Sequence, residues 1–139
     1  MERTDRDVDA FLASIEGRPG EDIRRLDAAI VERMRGAERY LYEGKFWGGS
    51  DQQIVGYGVM DYENRSGENV EWFVVGLAAQ KNYISMYVNA VKDGRYLLRE
   101  YEKELGKAKV GSASISFGSL DDVDLDGLLA LVEEAGRLS

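Results

Sequence analysis

The sequence predicts an α+β fold: two layers, with a mostly antiparallel sheet of about five strands and helices packed on one face. Three observations carry that expectation. Helical periodicity fills the first 38 residues, four strand candidates then follow without an intervening helix, and helix, strand and helix close the chain. Strands gathered into a run, rather than alternating with helices, point away from a parallel α/β sheet. A length of 139 residues without a Pro/Gly/Ser-rich linker or an internal repeat indicates one domain spanning 1–139.

The elements follow in order. Thr4 reads as an N-cap, with Asp5 and Asp7 in the first helical turn. Val8, Phe11, Leu12 and Ile15 then form one apolar stripe, and Gly17, Pro19 and Gly20 end that helix. A second helix buries Ile23, Leu26, Ile30 and Met34 and stops at Gly36. Tyr40-Leu41-Tyr42 is a short strand, and residues 44–50 form a Gly-rich loop carrying Phe46 and Trp47. Residues 54–62 read as a strand interrupted by Gly56 and Gly58, and Asn64 to Gly67 as a turn. Residues 70–79 are a long strand, turned at Gln80-Lys81-Asn82 into a partner at 83–88. Residues 91–105 are assigned to a helix closed by Gly106, residues 113–117 to a strand, and residues 123–138 to the last helix.

Successive strand residues face opposite ways, so period-two alternation sorts the sheet. Phe73, Val75 and Leu77, Ile84 and Met86, and Ile115 and Phe117 are expected to face the helices. Trp72, Val74 and Gly76, Tyr83, Ser85 and Tyr87, and Ser114 and Ser116 are expected on the other face. Tyr57 is a candidate to join those rings, in a strand whose two glycines leave its register open.

Composition bounds the chemistry. The 18 basic and 26 acidic side chains give a net charge of −8, and there is no His and no Cys. Disulfides, thiolate nucleophiles, zinc–thiolate sites and imidazole-based catalysis are excluded. Any metal site would be all-oxygen. The acidic balance argues against nucleic acid as a partner. No apolar run is long enough to span a bilayer, and no charged-then-apolar leader opens the chain, so the expected compartment is the cytoplasm, with no membrane partner. The charge is uneven: residues 91–117 carry 6 basic and 4 acidic groups, whereas residues 118–139 carry 1 and 6.

A resemblance rests on motifs in order along the chain. These are Val8-Asp9-Ala10-Phe11-Leu12, Glu43-Gly44-Lys45-Phe46-Trp47-Gly48-Gly49, Ile54-Val55-Gly56-Tyr57-Gly58 and Glu71-Trp72-Phe73. They continue with Gly76-Leu77-Ala78, the run from Lys81 to Tyr87, Leu105-Gly106-Lys107 and Ala113-Ser114-Ile115-Ser116-Phe117. Together they resemble the YdhG-like family of small bacterial domains of unknown function, over essentially the whole length. The resemblance implies a frataxin-like sheet-and-helix layout. One branch of that family is associated with iron chaperoning for cluster or haem assembly, and no site residues are carried over from it.

Four features bear on function, each with a plainer reading. Asp122-Val123-Asp124-Leu125-Asp126-Gly127 with Glu133 matches the EF-hand pattern, but a strand precedes it and the segment up to Glu133 looks like helix interior. The plainer reading is acids at a helix N-terminus. Asp5, Asp7 and Asp9 with the acidic stretch 121–126 suggest weak, exchangeable iron binding, against a simple solvated surface. Phe46, Trp47, Tyr57, Trp72, Tyr83 and Tyr87, with Lys45 and Lys81 near them in sequence, suggest a contact face, against core packing or a homodimer through the sheet face. Arg95, Arg99 and Lys103 fall four apart on one helical face, suited to an acidic partner or a phosphate, against a solvated helix face.

No catalytic motif and no cofactor fingerprint is present. The expectation is therefore a small binding or interaction module for a small molecule or protein partner, contacting it through Lys45, Trp47, Tyr57, Trp72, Lys81, Tyr83 and Tyr87. The alternative is an iron-handling chaperone resembling frataxin that uses surface carboxylates.

Overall fold

The computed structural model describes residues 2–45 and 51–138. The chain is α+β. Its strands are β1 (Glu2–Arg3), β2 (Arg39–Lys45), β3 (Asp51–Glu63), β4 (Asn69–Ala79), β5 (Ile84–Val88), β6 (Val91–Lys92), β7 (Arg95–Tyr96), β8 (Lys109–Val110) and β9 (Ser114–Phe117). Its helices are α1 (Val8–Ser14), α2 (Gly17–Arg33), α3 (Leu98–Tyr101) and α4 (Leu125–Leu138). One sheet runs β1-β2-β3-β4-β5-β9-β8 with antiparallel neighbours, and β6-β7 form a separate ribbon. The sheet thus has seven strands rather than about five. The extra pair, β1 and β8, are two-residue edge strands. Among the described residues no helix is long and apolar enough to cross a membrane.

Local chemistry sets the helix ends. Asp7, not Thr4, caps α1: its Oδ1 accepts from the N–H groups of Asp9 (3.0 Å) and Ala10 (3.4 Å). Thr4 instead ties β1 to β2, its N–H and its hydroxyl both donating to the Leu41 carbonyl. Gly17, Pro19 and Gly20 do not stop a helix; they begin α2, where Pro is tolerated because the first-turn N–H groups have no helical partner. Arg24 satisfies the end of α1 by donating to the carbonyls of Leu12 (2.8 Å) and Ile15 (3.0 Å). On α2, Ile23, Leu26, Ile30 and Met34 are buried as their spacing requires, and on α4 so are Leu128, Leu131, Val132 and Ala135.

The expected helix at 91–105 is replaced by the β6-β7 ribbon, a four-residue helix and a 3₁₀ turn at Glu102–Glu104. The cause is Asp93-Gly94, both at positive φ (53° and 78°) between paired Lys92 and Arg95. That is the signature of a two-residue hairpin turn. Arg95, Arg99 and Lys103 consequently sit on three different elements and make no common helical stripe.

The main core lies between the helices and one sheet face. Leu41, Val55, Val75, Leu77, Ile84, Met86, Val88, Ile115 and Phe117 meet α1, α2 and α4 there. Cross-strand pairs such as Leu77 with Met86 and Ile84 with Phe117 share that face. Alternation slips once. Gly58 in β3 has φ 73°, and beyond it Val74 turns into the main core while Phe73 turns to the opposite face. A Cβ at Gly58 would meet Val74 and Met34, which places both on the same side of the sheet. The expected helix-facing position of Phe73 and the outward position of Val74 are therefore both reversed.

Candidate functional site

A second apolar cluster occupies the sheet face that the helices leave uncovered. Tyr42, Ile54, Phe73 and Ala78 are buried there, with Tyr40, Trp72 and Tyr87 partly buried around them. The cluster is built on a cross-strand pair of glycines, Gly56 and Gly76. A Cβ on Gly56 would fall 2.7 Å from the Phe73 Cβ and 2.6 Å from Tyr42 Cε1, and one on Gly76 would fall 2.5 Å from Phe73 Cε1. The two glycines leave a flat bed, and the Phe73 ring lies across it. Trp72 stacks on Phe73 with ring centres 4.4 Å apart, Tyr42 meets Phe73 edge-on at 5.3 Å and Trp72 at 5.7 Å, and Tyr87 tilts against Phe73 at 6.3 Å. Such offset and edge-on pairs suit the ring quadrupoles.

Beyond Gly58, among the described residues, β3 and β4 pair only with each other, so residues 59–63 and 69–73 form a two-stranded arm. The arm brings Glu71 to Arg3 (3.2 Å), whose guanidinium also lies 4.3 Å over the Tyr40 ring. Burial, and then the charge of Glu71, push the Tyr42 hydroxyl up to about 12. Burial raises the Tyr87 hydroxyl as well, opposed by its hydrogen bond with Ser85. The Tyr40 hydroxyl donates to Glu38, the main cause of its raised pKa.

The seven residues expected to form one contact face are dispersed. Trp72 and Tyr87 belong to the open-face cluster. Tyr57 lies beneath the helices, where its hydroxyl donates to Asp27 Oδ1 at 2.6 Å. Burial and the Asp27 carboxylate drive its pKa well above the usual value. Arg39 Nη1 holds both Asp27 oxygens at 3.0 Å, and its Nη2 reaches Asp9, so Tyr57 is part of a brace between helices and sheet. Tyr83 precedes β5 and is 45% exposed, off the cluster. Lys45 is exposed opposite Asp51 at the end of β2. Lys81 rims a cavity of about 670 Å³ at the same sheet end, floored by Phe11, Ile15 and Pro19. Trp47, like Phe46, lies outside the described residues. Sequence reasoning missed Tyr40, Tyr42 and Ile54 as members of the site. The signal available in the sequence was the Tyr40-x-Tyr42 alternation, which puts both rings on one face of β2.

The other candidates are absorbed by structure. Asp124 Oδ1 accepts from Gly127 N–H in the first turn of α4, and Glu133 on that helix pairs with Arg137 one turn on and with Arg33 at the end of α2. The Asp122–Glu133 segment therefore does not form a calcium loop. Asp9 pairs with Arg39, and Asp121 with Arg18. No group of three carboxylates among the described residues is placed to hold a metal ion. A larger cavity, about 800 Å³, lies on the helix side by Met34, Gly58 and Gly136, where Arg33, Arg35 and Arg137 face Glu32, Glu38 and Glu133. Its charges balance.

Comparison of the chain with protein-family models, with curated proteins and with solved structures finds no match in any of the three.

Proposed function

We propose that this chain is a small cytoplasmic binding module whose contact surface is the aromatic rim of the open sheet face. We also propose its kinship with the YdhG-like, frataxin-like domains, supported by the order of its motifs and by a layout with helices on one side of an antiparallel sheet. The observation that carries the functional reading is the second apolar cluster: rings of Tyr40, Trp72 and Tyr87 stay partly exposed over a buried bed on the face without helices. A contiguous apolar patch left exposed on one face of a domain is a common mark of a recognition site. Iron handling has less support, because Asp7, Asp9, Asp121 and Asp124 are each engaged in capping or pairing.

The reading is tested with toluene as a plain ring probe, titrated into the chain and followed by ligand-observed NMR. Saturable binding that disappears in Tyr87→Asp, with the circular dichroism spectrum intact, is the expected result. Binding that survives Tyr87→Asp, or no binding at millimolar toluene, contradicts it. A dimer in sedimentation equilibrium that Tyr87→Asp dissociates would assign the face to a second copy of the chain instead.

A further inference from the structure

The cavity of about 670 Å³ beside Lys81 opens between the α1–α2 junction and the ends of β2, β3 and β4. Small-molecule sites commonly enclose roughly 300–1,000 Å³. The floor is apolar: Phe11 is buried, and Ile15, Pro19 and Ala79 are half-buried, so part of their hydrocarbon still meets water. Some of the polar lining is already engaged. Glu43 accepts from Arg6 (2.9 Å) and from Gln53 (3.1 Å), and Gln80 donates to Gln52 Oε1 at 2.8 Å, which ties β3 to the end of β4. Three charged groups are not engaged. Glu16 stands at the N-cap position of α2, yet its side chain accepts from none of that helix's N–H groups. Among the described residues, Glu16, Asp51 and Lys81 make no ion pair and no side-chain hydrogen bond.

We propose that this cavity binds a small primary amine with an apolar body, its hydrocarbon on Phe11, Ile15 and Pro19 and its ammonium drawn to the Glu16 and Asp51 carboxylates. The site lies on the helix side of the sheet, since Phe11 belongs to the main core, and it does not rest on the reading of the open face. Charge sets the ligand's sign. The lining holds the carboxylates of Glu16, Glu43 and Asp51 against the single ammonium of Lys81, in a chain of net charge −8. The apolar floor sets its body: a bare cation would leave Ile15 and Pro19 wet, whereas a hydrocarbon covers them. A metal ion is a poorer match, because no three carboxylates among the described residues are placed to hold one.

Phenethylamine, phenylalanine and phenylpropionate test this, because they share a ring and differ in charge: cation, zwitterion and anion at neutral pH. Each is titrated into the isotope-labelled chain and followed by amide chemical shifts. Phenethylamine should bind saturably at millimolar concentration or below, with shifts centred on residues 15–16 and 79–81, phenylalanine more weakly, and phenylpropionate most weakly. Glu16→Gln and Asp51→Asn, both at exposed positions, should each weaken the amine about two- to fivefold, the range of one solvent-exposed ion pair, and Lys81→Gln should strengthen it. No saturable binding, any other order of the three probes, an affinity unchanged in both carboxylate variants, or shifts centred elsewhere overturns the site. Tyr87→Asp, on the open face, should leave amine binding unchanged. Loss of amine binding in that variant would move the ring to the open face and overturn the cavity, whereas toluene binding tests the open face alone.

Discussion

Gly76→Ala decides, by its sign, where Phe73 lies. In an ordinary strand this change is mildly favourable, by about 0.5–1 kcal/mol, because Gly loses the most backbone freedom on folding. Here the new methyl would sit 2.5 Å from Phe73 Cε1 and 2.9 Å from Ile54 Cγ2. Both neighbours are fully buried, and a ring wedged against Trp72 and Tyr42 has little room to yield. Overpacking of this kind costs about 1–3 kcal/mol. With an unfolding entropy of about 2.1 cal/mol/K per residue, a chain of this length loses roughly 3–10 °C in Tm. Calorimetry gives the Tm, and urea unfolding gives the free energy if the m-value is unchanged. In a Phe73→Leu background the cost of Gly76→Ala should shrink, since the two positions are in contact. A Tm that stays level or rises in Gly76→Ala would show that the Phe73 ring is not on the open face.

Three further outcomes follow from particular contacts. Gly127→Ala, in helix α4, should destabilise by about 1–3 kcal/mol instead of gaining the ~1 kcal/mol of helix propensity, because a Cβ there would run into the Glu104 carbonyl oxygen; a stabilised variant in chemical denaturation refutes that approach. Asp27→Asn removes the charge that Arg39 and Tyr57 share and should cost about 2–4 kcal/mol, whereas Asp9→Asn, at a carboxylate 75% exposed, should cost under ~1 kcal/mol; equal losses would deny the brace its buried centre. The hydroxyls of Tyr42 and Tyr57 titrate higher folded than unfolded, so their contribution is complete below about pH 10 and fades as pH climbs through the folded values. Absorbance at 295 nm should therefore show these two, together with Tyr101, whose hydroxyl is held up to about 12 by its hydrogen bond to Glu134, as the late-ionising group among eight tyrosines, with stability falling above about pH 10; all eight titrating together in the folded chain would contradict it.

Much of the fold was legible because burial on one face enforces a period. Ile84, Met86, Ile115 and Phe117 alternate without interruption, and each faces the helices as the spacing demands. Phe73 was not legible, because a strict period assumes an unbroken pleat and Gly58 breaks it with a left-handed backbone. The 91–105 segment misled because Leu98, Tyr101 and Leu105 fit a helical stripe, while Asp93-Gly94 carried the hairpin signal. Two-residue strands such as β1 and β8 are too short to show any period. Of the site, Tyr87 was legible from alternation, whereas Trp72 joins the open face although the period that placed it there fails at Phe73 and Val74. Tyr57 was not, since its face depends on the register that pairs it with Val75. Asp27, a carboxylate beside the apolar stripe of α2, was the available hint that a buried hydroxyl needed an acceptor. The meaning of Gly56 and Gly76 emerged only when pairing set them side by side.

The most direct measurement is a set of intermolecular nuclear Overhauser effects from the toluene methyl to a uniformly labelled chain. Contacts to side-chain protons of Trp72, Phe73, Tyr87 and Ile54 are predicted. Contacts to Ile23, Ile30 or Leu131 in the main core, with none to Trp72 or Tyr87, would place the ring on the wrong side of the sheet and end the account.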